Sequence, residues 1–549
     1  MRKPKPVRSS NIVLATNRDQ QLVTMNTSAE PALFNLTDYF VDRHTREGRA
    51  DKPALRCAER IRTYGDLSAD INRAGNGLLR LGLQEEQRVL LVLPDCPEFV
   101  VAYFAVMKVG GTAVPTTTFG RTADYDYFLR ESKARILIVH AMAFGEIAPV
   151  LNRQCHLRHV IVVGERQTGH ISWDEWLAVN SPELSAAETN AEDVAFWLWT
   201  SGSTGRPKAA VHLHYDWMHC CRNYAIGILG ITPNDTTFSS SKLFHAYGLG
   251  NGLMFPFYVG ASTILFPAKA QANAVLEVVQ RTHPTLFFSV PTLYAQMLQQ
   301  AEKESYRLDS VRLAVSAAEP LPADIYRRFR SRFGVEILDG LGSTEVLHMY
   351  LSARPGNVKP GSTGTAVPGY KLRLVDGDER EVPPGTIGDL LVAGESIATC
   401  YWKRRQLTAE RMRGKWFFTG DKYWIDGDGY YWYAGRSDDM FRVSGQWVSP
   451  AEVESTLIEH NSVLEAAVVA YRESTELLTP KAFVVLRDGV TASPDLAREL
   501  QEFVKQRITP YKYPRHIQFI DKLPKSAAGK VLRYQLRDAD VAATESDRG

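Results

Sequence analysis

The sequence predicts an α/β protein with two helix-flanked sheet regions, a small β-barrel or meander, and a separate small α+β unit at its carboxyl end. Three observations carry this: apolar strand-like runs alternate with helical patterns up to about residue 320, short strands and Gly-rich turns fill about 361–433, and a new helix–strand–strand–helix pattern follows 438. At 549 residues the chain is too long for one ordinary core, so two or more domains are expected.

The first region spans about 34 to 190, where the runs "RVLLVL", "ARILIVH" and "HVIVVG" flank the helical "PEFVVAYFAVMKVGG". Strands separated by helices argue for parallel sheet, because a parallel pair needs a crossover. The second region, about 235 to 320, repeats the pattern with "STILF", a helix through "ANAVLEVVQ", "TLFFSV", another helix, and "RLAVSAA". Between 361 and 433 the strands "YKLRLV" and "GDLLVA" stand among Asp-Gly turns, which suit a small barrel or meander. After "AGRSDDM" come a helix, the strands "EAAVVA" and "AFVVL", a helix from about 495 and a basic tail. The expected boundaries are a tail at 1–33, a large domain at 34–437, a small domain at 438–540 and a tail at 541–549.

Composition narrows the class. Hydrophobic residues are 44% and charged residues 23%, and the formal net charge is +2, so no global basic field calls for nucleic acid or an anionic membrane. Six scattered cysteines show no CxxC pair and no Cys/His spacing suited to zinc, which predicts reduced thiols in a reducing compartment. The basic start "MRKPKPVRSSNIVLATNRDQQLV" has too short an apolar run for a secretory signal. It reads as a tail, with Met25 an alternative start. No run approaches the roughly 18 apolar residues of a spanning helix, and the ending "ESDRG" carries no peroxisomal or prenylation signal. A cytoplasmic enzyme is expected.

The strongest local signal is "TSGSTGRPKAAV", which follows the apolar "VAFWLW" directly. Gly202 and Gly205 free the backbone to turn amides toward an anion, Thr200, Ser201, Ser203 and Thr204 add hydroxyl donors, and Lys208 adds charge. No Gly-Lys-Ser/Thr opens a helix here, and "AAVHLH" reads as a strand, so this is not a Walker loop. Composition alone equally allows a flexible Ser/Gly loop. In "DGLGSTE", Glu345 is a hard oxygen ligand suited to a magnesium-bound nucleotide and Thr344 a phosphate contact; in isolation the segment is a turn. In "FTGD", Asp421 is a carboxylate able to take both ribose hydroxyls, and Arg436 lies near the domain boundary. A Gly-Asp pair is usually only a turn. "PKSAAGKVLR" sets Lys530 after a Gly-containing turn, where the bland reading is a solvated basic tail.

Taken in order, the five segments resemble the adenylate-forming superfamily of acyl-CoA synthetases, luciferases and peptide-synthetase adenylation domains, over roughly residues 34 to 540. The resemblance implies a large amino-terminal domain of two helix-flanked sheet regions plus a small β-barrel, a small mobile α+β carboxyl-terminal domain, and an active site between them. It implies ATP, Mg2+ and coenzyme A. Thr200 to Lys208 would hold the phosphates, Glu319 and Pro320 would wall the adenine, and Asp339 would accept from its amino group. Thr344 and Glu345 would bind phosphate and magnesium, and Asp421 and Arg436 would fix the ribose and neighbouring phosphate. Lys530 would bridge carboxylate and α-phosphate during adenylation. Asp438 would be the hinge, and rotation about it would bring "RVSGQW", with Ser444 and Gly445, to the site for the thioester step. Arg442 stands where many relatives have Lys, which keeps the charge but not the geometry.

"LFHAYGLGNGLMFPFYVGAS", "GSTEVLHMYLSARPG" and "SAAEPL" look like benzoate-CoA ligases and related aryl-CoA ligases. On that likeness His245 would gate or orient the carboxylate, and Ala246, Tyr247, Gly248, Gly340, His348 and Met349 would line a flat ring pocket. A satisfied core histidine is the bland alternative for His348, and a structural tyrosine that for Tyr247. An adenylation enzyme loading a carrier protein shares almost every motif. A nucleotide-binding protein without catalysis would be expected to lose Lys530 or Glu345, and nothing favours luciferase-like oxygenation. The expected partners are an aromatic acid, ATP and CoA, with no nucleic acid and no membrane; a homodimer stays open.

Overall fold

The computed structural model describes residues 33–202, 205–437, 439–443, 446–472, 478–525 and 531–537, without the side chains of Ser201, Gly202, Gly205, Arg442 and Trp447. Ser203, Thr204, Asp438, Ser444, Gly445 and Lys530 lie outside these residues, as do Met25 and nearly all of both expected tails.

From Arg88 on, the strands of the first region join Val194–Gly202, Gly205–Leu213 and Cys400–Tyr401 in an eight-stranded sheet, while its earlier strands Pro53–Cys57 and Arg60–Thr63 cross over to the edge of the second sheet. The middle of the eight-stranded sheet is parallel: Arg88–Val92 lies between Thr112–Pro115 and Ile136–His140, and His159–Val163 continues outward. The second region forms a nine-stranded sheet in which Thr236–Ser239, Ser262–Leu265, Leu286–Ser289, Leu313–Ser316 and Ile337–Gly342 are parallel neighbours. The runs "ILIV" and "LFFS" are buried along their length, as expected where helices cover both faces.

The helix Pro97–Lys108 is buried from end to end. Its apolar residues occupy all faces, so it belongs inside the protein. Tyr103 meets Phe196 of the first sheet, Phe104 stacks on Phe257 beside the second, and one continuous core joins both. The two sheets are thereby packed on a shared interior.

The Gly-rich stretch forms a five-stranded antiparallel sheet that includes Lys371–Val375, Gly388–Ala393, Trp416–Ile425 and Tyr431–Arg436. Its ladder does not close into a ring among the described residues, so of the two forms that the turns allow it takes the meander. From Phe441 on, the chain builds its own core. Helix Pro450–Ile458 is capped by Ser449, whose hydroxyl accepts from the Glu452 amide, and strands Val463–Arg472 and Leu478–Leu486 pair antiparallel. A third strand, His516–Phe519, escapes the sequence reading because "HIQF" is short and only half-buried at the sheet edge.

Candidate active site

The segment expected to hold phosphate is a hairpin. Val194–Gly202 pairs antiparallel with Gly205–Leu213, with Thr200 opposite Lys208 and Gly202 opposite Gly205. A strand on either side of the turn, rather than a helix after it, agrees with the non-Walker reading. The outer edge of the hairpin pairs with Cys400–Tyr401, which sets Tyr401 beside Ala210.

Lys208 therefore meets Tyr401, its Nζ 4.2 Å from the ring centroid, and lies 3.9 Å from Glu345 Oε1. Tyr401 donates its hydroxyl to the same Oε1 at 2.6 Å. Burial pulls the lysine below its ordinary pKa; Glu345 opposes this, and Arg411 and Arg436 add to it. Arg411 and Arg436 lie within electrostatic reach of Lys208, a cationic grouping suited to a polyanion.

Glu345 sits in the turn between Ile337–Gly342 and Met349–Ser352, which pair antiparallel. This one hairpin carries Asp339, Gly340, Thr344, Glu345, His348 and Met349. Among the described residues no group of three or more His, Cys, Asp or Glu side chains forms a self-sufficient metal site. A single buried carboxylate beside a lysine fits an ion that keeps water and takes phosphate oxygens as its other ligands.

Asp421 and Arg436 face each other on neighbouring strands, with Nη1 donating to Oδ1 at 3.0 Å. The Asp421 charge holds the guanidinium proton more tightly, and Asp421 itself is buried. Gly420 has φ +79°, and a Cβ there would come within 3.0 Å of both Arg411 Nη1 and Arg436 Nη2. Glycine lets two guanidiniums approach the strand. Tyr350 lies within electrostatic reach of Asp421, Arg436 and Glu345, which ties the two clusters together.

Asp339 is buried with Oδ1 lacking a hydrogen-bond partner, and loss of solvent pushes its pKa well up against the pull of the Leu321 and Gly340 amides. An orphaned buried acceptor of this kind fits an amino group supplied by a ligand. Glu319, next to Pro320, is pushed up by burial, with Oε1 also unpartnered and Oε2 3.3 Å from the Thr292 hydroxyl. Lys525 of the carboxyl-terminal unit reaches that hydroxyl at 3.1 Å and Glu465 at 2.7 Å.

On the expected acid side, His245 stands just before the short helix Ala246–Leu249 without a side-chain capping bond to it, and Gly248 packs so closely that a Cβ would lie 2.2 Å from the Lys242 carbonyl. At Gly340 a Cβ would lie 2.8 Å from Met349 Sδ. The Tyr247 hydroxyl reaches the Ser289 and Val315 carbonyls, a structural anchor for a partly buried ring. His348 differs from the satisfied core histidine of the bland reading. It is buried, neither ring nitrogen makes a hydrogen bond of ordinary geometry, and burial, opposed by the Tyr247 backbone, pulls it to a pKa of about 3, so it is neutral.

Around His348 stand rings that sequence reading missed: Phe255 at 4.5 Å, Tyr224 at 5.4 Å and Trp217 at 6.3 Å. Tyr401, Arg411 and His212 were missed as well. None stands in a motif: Tyr401 lies 56 positions from Glu345, and only strand pairing brings it close.

The family described as AMP-binding enzyme matches residues 42–402, and the one described as AMP-binding enzyme C-terminal domain matches 452–530. A benzoate–CoA ligase of Thauera aromatica is 44% identical over 93% of this chain and 97% of its own length. The structure of the anthranilate CoA ligase AuaEII in complex with anthranoyl-AMP superposes with a TM-score of 0.92 at 40% identity, covering 95% of this chain and 100% of that one. A benzoate CoA ligase from Burkholderia xenovorans LB400 gives 0.86 at 42% identity, covering 92% and 100%. Matched along two thirds of its length by the larger family and near its carboxyl end by the smaller, the chain belongs to the AMP-binding enzymes.

Proposed function

We propose that the protein activates an aromatic carboxylic acid, benzoate or a substituted benzoate, with ATP and passes the acyl group to coenzyme A. The observation that carries this reading is the meeting of Lys208, Glu345 and the Asp421–Arg436 pair in one site, in a chain whose relatives are named for aryl acids and CoA.

In the first half-reaction a carboxylate oxygen attacks the α-phosphorus, the bond to the bridging oxygen breaks, and pyrophosphate leaves. Thr200, Lys208 and the hairpin turn bind the phosphates, Asp421 and Arg436 hold the ribose and its neighbouring phosphate, and Glu319, Pro320 and Asp339 receive the adenine. Glu345 would hold Mg2+, which supplies charge neutralisation on the phosphate oxygens. Lys530 would stabilise the charge that develops as the new bond forms. In the second half-reaction the CoA sulfur attacks the acyl carbon, the bond from that carbon to the phosphate oxygen breaks, AMP leaves with the bonding pair, and the thiol proton is released to solvent.

The domain division at 34–437 and 438–540, with a hinge at Asp438, is part of the same proposal. The separate core after Phe441 supports it. No helix among the described residues is long and apolar enough to cross a membrane.

A panel of benzoate, hydroxybenzoates, aminobenzoates, cinnamates and short fatty acids, assayed for ATP- and CoA-dependent AMP release, tests the reading. Aromatic acids should lead; preference for short fatty acids would overturn it.

A further inference from the structure

We infer that His212, oriented by Asp216, is a positioning residue for the carboxylate of Glu345. The inference rests on the metal role proposed above for Glu345.

His212 is fully buried on the strand Gly205–Leu213. Its Nε2 lies 2.8 Å from the Thr344 carbonyl oxygen and its Nδ1 2.9 Å from Asp216 Oδ2, which also accepts from the Leu213 amide at 3.0 Å. A carbonyl oxygen can only accept, so Nε2 carries a proton. Asp216, at the start of the helix Asp216–Cys220, fixes the ring from the other side, and Phe196 stacks on it at 5.3 Å.

The Thr344 carbonyl belongs to the peptide that leads into Glu345, and the turn it serves is strained. Leu347, buried, has φ +72°, and its amide donates to the same Thr344 carbonyl at 3.3 Å. A leucine keeps left-handed backbone only where its surroundings over-determine it. His212 reaches this turn from the phosphate hairpin.

Residues 208, 210 and 212 of a strand share one face. Lys208 thus faces the Glu345 carboxylate while His212 grips the peptide before it. The two contacts fix the distance between the phosphate hairpin and the metal carboxylate, and so the geometry in which cation and phosphates are shared.

The test uses the full-length enzyme with His212→Leu and His212→Gln. Two readouts are taken: Mn2+ affinity in the presence of a non-hydrolysable ATP analogue, by electron paramagnetic resonance, and the Mg2+ dependence of acid-dependent ATP–pyrophosphate exchange. For His212→Leu, Mn2+ affinity should fall and half-saturating Mg2+ should rise by about tenfold, the lower end for loss of a group that supports a metal ligand. The KM for the acid should stay within about twofold of wild type. His212→Gln, which keeps an N–H donor, should recover part of the metal affinity. Unchanged Mn2+ affinity in folded variants, or parallel loss in every parameter with the folded fraction, overturns the inference. If His212→Leu does not fold, His212→Phe, which keeps a ring to stack on Phe196 and removes both nitrogens, takes its place, and wild-type metal affinity in it overturns the inference equally. Absence of acid-dependent exchange in the wild type overturns the adenylation reading, and this inference with it.

Discussion

The Tyr401 hydroxyl donates to Glu345 Oε1 at 2.6 Å while the face of the same ring receives the Lys208 ammonium 4.2 Å from its centroid. One side chain therefore orients an anion and a cation that lie 3.9 Å apart. Burial and the Glu345 charge push the phenol pKa up, so it remains a donor.

Tyr401→Phe should keep the ring under Lys208 and remove only the donor. Leaving a buried carboxylate oxygen unpaired costs about 1–3 kcal/mol. The loss should appear as a raised Mg2+ requirement in ATP–pyrophosphate exchange. An unchanged magnesium titration would mean that Oε1 needs no orienting partner.

Glu345→Ala should reduce turnover far more than it reduces the thermal midpoint, because a carboxylate kept for a cation is not a core support. Activity and midpoint can be measured on the same preparations. Equal loss of both would count against the metal role.

Asp339→Asn should stabilise the nucleotide-free protein as pH rises. Burial raises the folded-state pKa of Asp339, so stability present below the unfolded carboxylate value, about 3.9, is lost as pH rises through the folded value. Asparagine cannot ionise and removes that loss. Melting curves between pH 4 and 8 should show the variant gaining on wild type toward the alkaline end; a constant offset would contradict the sign.

His348→Ala should alter relative rates among ring-substituted benzoates by about 1–3 kcal/mol, the worth of a reshaped apolar wall. The KM for ATP should change little, since the contacts of His348 are the rings of Phe255, Tyr224, Tyr247 and Trp217. A uniform fall for every acid would make His348 purely structural.

Much of the fold was legible because buried parallel strands are short apolar runs and their helices carry apolar faces; "ILIVH" and "LFFS" declare themselves. The residues proposed for phosphate and ribose could be picked out because that chemistry needs Gly, hydroxyl, Lys and Asp close together in sequence. Tyr401, His212 and Arg411 were not, since each acts through a contact made by strand pairing or a turn: 56 positions separate Tyr401 from Glu345, and 132 separate His212 from Thr344. Phe255, Tyr224 and Trp217 were hidden for another reason. An aromatic residue proposed to line a pocket and one in a core have the same local sequence, and only their packing around His348 in the structure singles these three out.

The most direct measurement follows the nucleotide products of the full-length enzyme given benzoate, ATP and Mg2+, first without and then with CoA. Without CoA, labelled pyrophosphate should exchange into ATP only when the acid is present. With CoA, AMP, pyrophosphate and aroyl thioester should appear in equal amounts. Formation of ADP and phosphate, or thioester formation without pyrophosphate release, would contradict activation through an acyl adenylate.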